Sequence, residues 1–164
     1  MKTATFARWQ MHSADVRGTL QLPATATPYT GKSEISFGGH TMNQRQRDLL
    51  DCAFAARRSD MPDTSTSTEL RAGLWCDISQ AVQRRPWGLR PPSICRNTCL
   101  YSYEHDVVLT GYAHMLLLGW PRGFAGREEF TSTELRDLSG EAVSIPITSI
   151  ILQAYWCNPW APWW

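Results

Sequence analysis

One helical period stands out in this sequence. Between Asn43 and about Arg58, Leu49, Leu50, Ala53 and Phe54 fall on one face, while Arg47, Asp48 and Asp51 fall largely on the other. Pro62 and the Thr/Ser run at 64–68 end that helix and form a linker. Every later element is cut short by proline or glycine. Leu74–Ile78 is a short strand candidate, and an Arg/Pro/Gly loop follows from Arg84 to Pro92. Residues 93–103 look extended, with imperfect alternation. Thr110 caps a short helix from Gly111 to Leu118, which Gly119 closes and Pro121 stops. Thr131-x-x-Glu134 fits a capping box for a helix reaching Leu138, with Gly140 as its breaker. Pro146 suits the first turn of a third helix that runs to about Trp156, with Ile147, Ile150, Ile151, Ala154 and Tyr155 on its apolar face. The pattern predicts an α+β fold. A small, irregular sheet from about 74–79 and 93–103 is flanked by the helix at 43–58 and by the C-terminal helices.

Residues 1–42 show no sustained period of 2 or 3.6. Thr, Ser, Gly and Pro are scattered from Thr19 to Gly39, which predicts a loop or a poorly ordered extension. Three regions result: the extension at 1–42, a folded region at 43–155, and a Trp/Pro-rich tail at 156–164. A chain of 164 residues suits one modest domain, and 43% hydrophobic with 19% charged residues excludes a disordered class. The apolar stretch at 145–156 is interrupted by Thr148, Ser149 and Gln153, so no membrane partner is expected. No apolar leader is visible, and the five cysteines follow no disulfide framework. An intracellular location with reduced thiols is expected, and for a DNA-binding chain a nuclear one.

The formal net charge of +1 hides an uneven distribution. Arg84, Arg85, Arg90 and Arg96 lie in a stretch without an acid, whereas Arg127 to Trp164 holds Glu128, Glu129, Glu134, Asp137 and Glu141 against two arginines. Only Lys2 and Lys32 are lysines, so nearly all positive charge is guanidinium, whose planar fork suits phosphates and guanine edges. The candidate nucleic-acid contacts are therefore Arg84, Arg85, Arg90 and Arg96, with Asn97 and Thr98 beside them. A solvated arginine-rich surface is the plain alternative.

Catalytic constellations are missing. There is no dinucleotide-type glycine turn and no Walker loop, and Phe37-Gly38-Gly39 is a lone glycine pair that suits a turn. Cys95 and Cys99 with His105 and His114 match no strong zinc spacing. Ser79 lacks a nucleophile-elbow context, and His114 sits on a short, largely apolar helix where packing is its default role. No residue is assigned as catalytic.

Four segments in sequence order resemble the C-terminal part of DNA (cytosine-5) methyltransferases. Asn43–Ala53 resembles the helix that opens the target-recognition region, and Cys76-Asp-Ile-Ser-Gln resembles the short strand that follows it. Arg96–Tyr103 with Leu109–Pro121 resembles the ninth motif, an extended segment leading into a helix that ends in Gly-Phe-Pro. Glu134–Pro146 resembles the tenth motif, Gly-Asn-Ala-Val-x-x-Pro. The resemblance implies a target-recognition role on DNA. It also implies a methyl-donor side formed by Gly140, Glu141, Ala142 and Val143.

Departures qualify what carries over. The family's Pro-Arg-Glu triplet is here Gly111-Tyr112-Ala113, its glutamine is Leu118, and its tenth-motif asparagine is Glu141. The Pro-Cys nucleophile, the Glu-Asn-Val strand and the Phe-x-Gly-x-Gly donor loop do not occur in these residues. Without them a flipped base meets no nucleophile. S-adenosylmethionine binding is expected only with a complementary N-terminal half as partner. The alternatives are a stand-alone nucleic-acid-binding module using Arg84–Arg96, or a non-enzymatic interaction protein or degenerate gene product whose Trp-rich tail is a contact surface.

Overall fold

The computed structural model describes residues 2–29, 42–124, 127–142 and 148–150, the first five by backbone alone. The chain divides into two compact units, Met1–Ser93 with Thr98–Leu109 and Ile94–Asn97 with Thr110–Trp164. The Phe37–Gly39 turn, Val143, most of the helix expected at 146–156, and the tail at 156–164 lie outside the described residues; 148–150 are helical.

The first unit overturns the expectation of an irregular extension. Lys2–Thr19 is an 18-residue helix, α1. Its inward positions include Ser13, Val16 and Arg17, all buried. They are mostly polar, so the helix carries no apolar stripe for a sequence pattern to reveal. The second helix, α2 (Gln44–Ser59), begins at a reciprocal cap: the Asn43 side chain accepts from Gln46 N–H, and the Gln46 side chain accepts from Asn43 N–H, each at 3.0 Å. Leu49, Leu50, Ala53 and Phe54 face the core as expected. Asp48 and Asp51 do not face solvent; both are buried. Arg17 Nε donates to Asp48 Oδ1 at 2.6 Å, Ser13 donates its hydroxyl to the same carboxylate, and the Arg17 guanidinium stands 3.7 Å from Asp51. Arg17 also donates to the carbonyls of Pro23 and Ala26, both at 2.9 Å, which folds the chain after α1 back toward α2.

A short helix, α3 (Ser67–Arg71), starts at a Thr66/Glu69 capping box. Four short antiparallel strands follow: β1 (Trp75–Asp77), β2 (Trp87–Gly88), β3 (Leu100–Ser102) and β4 (Val107–Val108), in the order β2-β1-β3-β4. Cys76 stands opposite Trp87 on one side and Tyr101 on the other, and Tyr101 stands opposite Val108. The sheet is smaller than the sequence pattern suggested. Residues 93–99 are not strand, while 87–88 and 107–108 are. All three β3 residues are buried, which explains why no alternation marks that strand. Tyr103 donates its hydroxyl to Leu50 O at 2.7 Å and so ties the end of β3 to α2.

The second unit contains α4 (Gly111–Leu117), capped by Thr110, and α5 (Ser132–Glu141), opened by the expected Thr131/Glu134 box. Gly140 does not break α5 but lies inside it. A Cβ at Gly140 would run into the backbone of Arg96 and Cys95, and one at Gly111 would run into Ser132 O and the Arg136 amide. Both glycines are close-approach positions rather than turn residues.

Gly111→Ala and Gly140→Ala should each destabilise by about 1–3 kcal/mol through overpacking. Gly18→Ala, with open space around it, should be neutral or stabilising in urea unfolding. Burial pushes the Asp51 carboxyl up to about 6, against the Tyr29 N–H bond and the Arg17 charge, which lower it. A raised carboxyl favours the folded state when protonated. The Asp51 contribution should therefore be fully present below about pH 4 and lost as pH rises through about 6. Asp51→Asn should flatten that part of the stability-against-pH curve.

Candidate nucleic-acid interface

Asp77 organises the turn after β1. Its Oδ1 accepts from Ser79 N–H at 3.0 Å, from the Ser79 hydroxyl at 2.6 Å and from Cys99 N–H at 3.1 Å. Ile78 N–H donates to Cys99 O at 2.8 Å. The Asp-x-Ser-Gln segment is thus a side-chain-closed turn locked to the approach of β3. Arg45 of α2 clamps the same turn from the other side. Its guanidinium donates to the carbonyls of Ile78 at 3.2 Å, Ser79 at 3.4 Å and Gln80 at 2.8 Å. Sequence reasoning missed Arg45; its only signal was a cation in the first turn of an otherwise well-patterned helix.

From this clamped turn the chain makes a 3₁₀ turn at Val82–Arg84. Arg85 then takes a left-handed conformation, φ 48°, and leads into β2. Val82 is buried and anchors the turn, while Arg84, Arg85 and Arg90 are exposed. Arg84 donates to Gln80 Oε1 at 3.2 Å. None of the three arginines has an ion pair among the described residues. They belong to the first unit.

Arg96 and Asn97 belong to the second unit and are exposed, Asn97 with φ 66°. Thr98 is corrected. It is 1% exposed and has no surface to offer a ligand. The second unit brings Arg96 together with the expected donor-side residues. Its guanidinium stands 3.5 Å from Glu141, and its backbone packs on Gly140. Both charged groups of that pair are mostly exposed, so the pairing contributes little stability. It does partly neutralise the one candidate arginine in this unit.

Glu141 and Ala142 also line a cleft of about 410 Å³ with Met115, Trp120, Leu135 and Leu138. Trp120 Nε1 has no hydrogen-bond partner among the described residues. The cleft offers apolar walls and one carboxylate, while the Trp120 Nε1 is itself buried. A ligand's carboxylate would not fit beside Glu141, because the Arg96 guanidinium there is already paired with it.

Burial argues against thiolate chemistry at the core cysteines. It pushes the Cys52 thiol up to about 12 and the Cys76 thiol well above its usual value, so both stay protonated. His114 is fully buried in α4. Among the described residues no helix is long and apolar enough to cross a membrane.

Arg45→Met should destabilise by about 1–3 kcal/mol, because three carbonyls lose a charged donor. Arg84→Gln should change stability by less than about 0.5 kcal/mol. Chemical unfolding of the two variants side by side measures the contrast. No family model, no curated protein and no solved structure matches this chain.

Proposed function

We propose that this chain is a methyltransferase-like DNA-binding protein. It would use its target-recognition segment on the phosphate backbone and transfer no methyl group by itself. The observation that carries the reading is the clamped turn. Arg45 and Asp77 fix the segment from which the exposed Arg84 and Arg85 project, with Arg90 just beyond β2. A basic segment whose backbone is already fixed loses less conformational entropy on meeting phosphates than a floppy basic tail does. The resemblance supplies the DNA and the methyltransferase context. These residues hold no Pro-Cys nucleophile, no Glu-Asn-Val and no donor loop. Chemistry therefore requires those parts from a complementary half. The cleft beside Glu141 supports a donor side that is completed only in that assembly.

Labelled duplex DNA titrated with the chain at several salt concentrations should give a slope of about −2.7 in log K against log salt for three phosphate contacts. Replacing Arg84, Arg85 and Arg90 together by glutamine should abolish most of that slope. Unchanged affinity and slope in the triple variant would falsify the assignment. Labelled methyl transfer to DNA by the chain alone would overturn the division between binding and chemistry.

A further inference from the structure

The first unit holds a second set of cations, remote in sequence from Arg84–Arg90. A pocket of about 260 Å³ is lined by Tyr29, Phe54, Arg58, Ser67, Leu70 and Arg71. Two of these carry positive charge, none carries negative charge, and Ser67 adds a hydroxyl. Arg58 is exposed at the C-terminal end of α2 and has no ion pair among the described residues. Arg71 is held in place. It donates to the Tyr29 hydroxyl at 3.1 Å, stands 3.6 Å from Asp106, and lies 5.3 Å from the centroid of the Tyr29 ring. Asp106 offsets part of the Arg71 charge, yet it is not part of the lining. The Tyr29 hydroxyl, at 2.8 Å, and the Tyr101 hydroxyl both donate to its Oδ1, while Oδ2 is the oxygen that faces Arg71. The aromatic wall is equally fixed, because the Tyr29 and Phe54 rings lie 5.4 Å apart at 52°. Burial and the adjacent Asp106 keep Tyr29 a neutral phenol, so the wall adds no negative charge.

We propose that this pocket binds a small phosphate monoester, its dianionic head between Arg58, Arg71 and Ser67 and its organic group against Tyr29 and Phe54. Guanidinium groups donate in a planar fork that matches phosphate oxygens. The volume lies below the usual range for small-molecule clefts, about 300–1,000 Å³, so the occupant is a phosphate with a small organic group rather than a dinucleotide. The phosphate can come from a free monoester or from the 5′ end of a nucleic acid, and the two sources are separable.

Calorimetry on the full chain with inorganic phosphate, phenyl phosphate and benzoate tests the site. Phenyl phosphate should bind most tightly, since only it supplies both the dianion and the ring. Arg58→Gln should weaken it by about tenfold or more, the scale of one charge-assisted contact. Ser67→Ala should weaken it less. Arg58 is exposed, so its variant should keep the wild-type melting curve, which makes Arg58→Gln decisive even where Arg71→Gln fails to fold. The Arg84, Arg85 and Arg90 triple glutamine variant should bind phenyl phosphate as the wild type does, which separates this site from the proposed DNA contacts. For the nucleic-acid source, a 5′-phosphorylated oligonucleotide should be preferred over its 5′-hydroxyl form, and Arg58→Gln should remove the preference. No detectable phenyl phosphate binding, equal binding of benzoate, wild-type affinity in Arg58→Gln, or a 5′-phosphate preference that survives it would each overturn the proposal.

Discussion

A guanidinium taken out of water is tolerated only where its donors are met, and Arg17 meets that condition with two carboxylates and two carbonyls. Much of the first unit hangs from this group. It brings α1 onto the acidic side of α2, and the carbonyls of Pro23 and Ala26 turn the following chain toward Asp51. There Tyr29 N–H donates at 3.0 Å. Tyr29 then reaches the sheet, where its hydroxyl meets Tyr101 at 2.5 Å and Asp106 at 2.8 Å. A line of polar contacts thus runs from a buried ion pair between helices to the β3–β4 hairpin. The apolar core of Leu49, Leu50, Leu74, Ile78 and Tyr103 lies in the same unit. Removing either partner of a buried pair leaves a charge without compensation, so this seam is harder to vary than an apolar one.

The second unit uses a different device. Two glycines let backbones approach where any side chain would collide: Gly111 against α5, and Gly140 against the segment at Arg96. At Gly111 the first turn of α4 meets α5 so closely that even proline, which otherwise suits that helix position, would place its ring in space held by Ser132 O and the Arg136 amide.

What the sequence disclosed follows from how each element buries its residues. Helix α2 is legible from its apolar period, and α4 and α5 from caps that are local: Thr110 and Thr131 satisfy their own helix amides whatever surrounds them. Helix α1 was not legible, because its inward side is built from Ser13 and Arg17, which no hydrophobic period reveals. The same omission misplaced Asp48 and Asp51, since an acidic face looks solvated until its cation is known. Strand β3 lies inside the extended stretch expected at 93–103, but its alternation is imperfect because all three of its residues are buried. Gly140 reads as a helix breaker because glycine's use for close approach is invisible without the neighbouring chain. At the candidate interface, exposure of Arg84, Arg85 and Arg90 was readable from the Pro/Gly-rich segment around them. The burial of Thr98 was not, since it depends on where the sheet begins.

Arginine count alone is a poor guide to what this chain can bind. Arg17 is buried as a structural cation, Arg45 is spent on three carbonyls, and Arg71 is held by Tyr29 and Asp106. Arg96 faces Glu141. Among the arginines with no ion pair in the described residues, two groups border a candidate anion site: Arg58 on α2, beside the partly offset Arg71, and Arg84, Arg85 and Arg90 around β2. They are separated in sequence by α3 and β1, and the two groups differ in setting. The three are exposed on either side of the edge strand β2, which suits an extended polyanion. Arg58 borders a small pocket with aromatic walls, which suits a compact one. A net charge of +1 is therefore compatible with two anion-directed surfaces, because most of the acidic charge that balances the sum lies elsewhere in the chain.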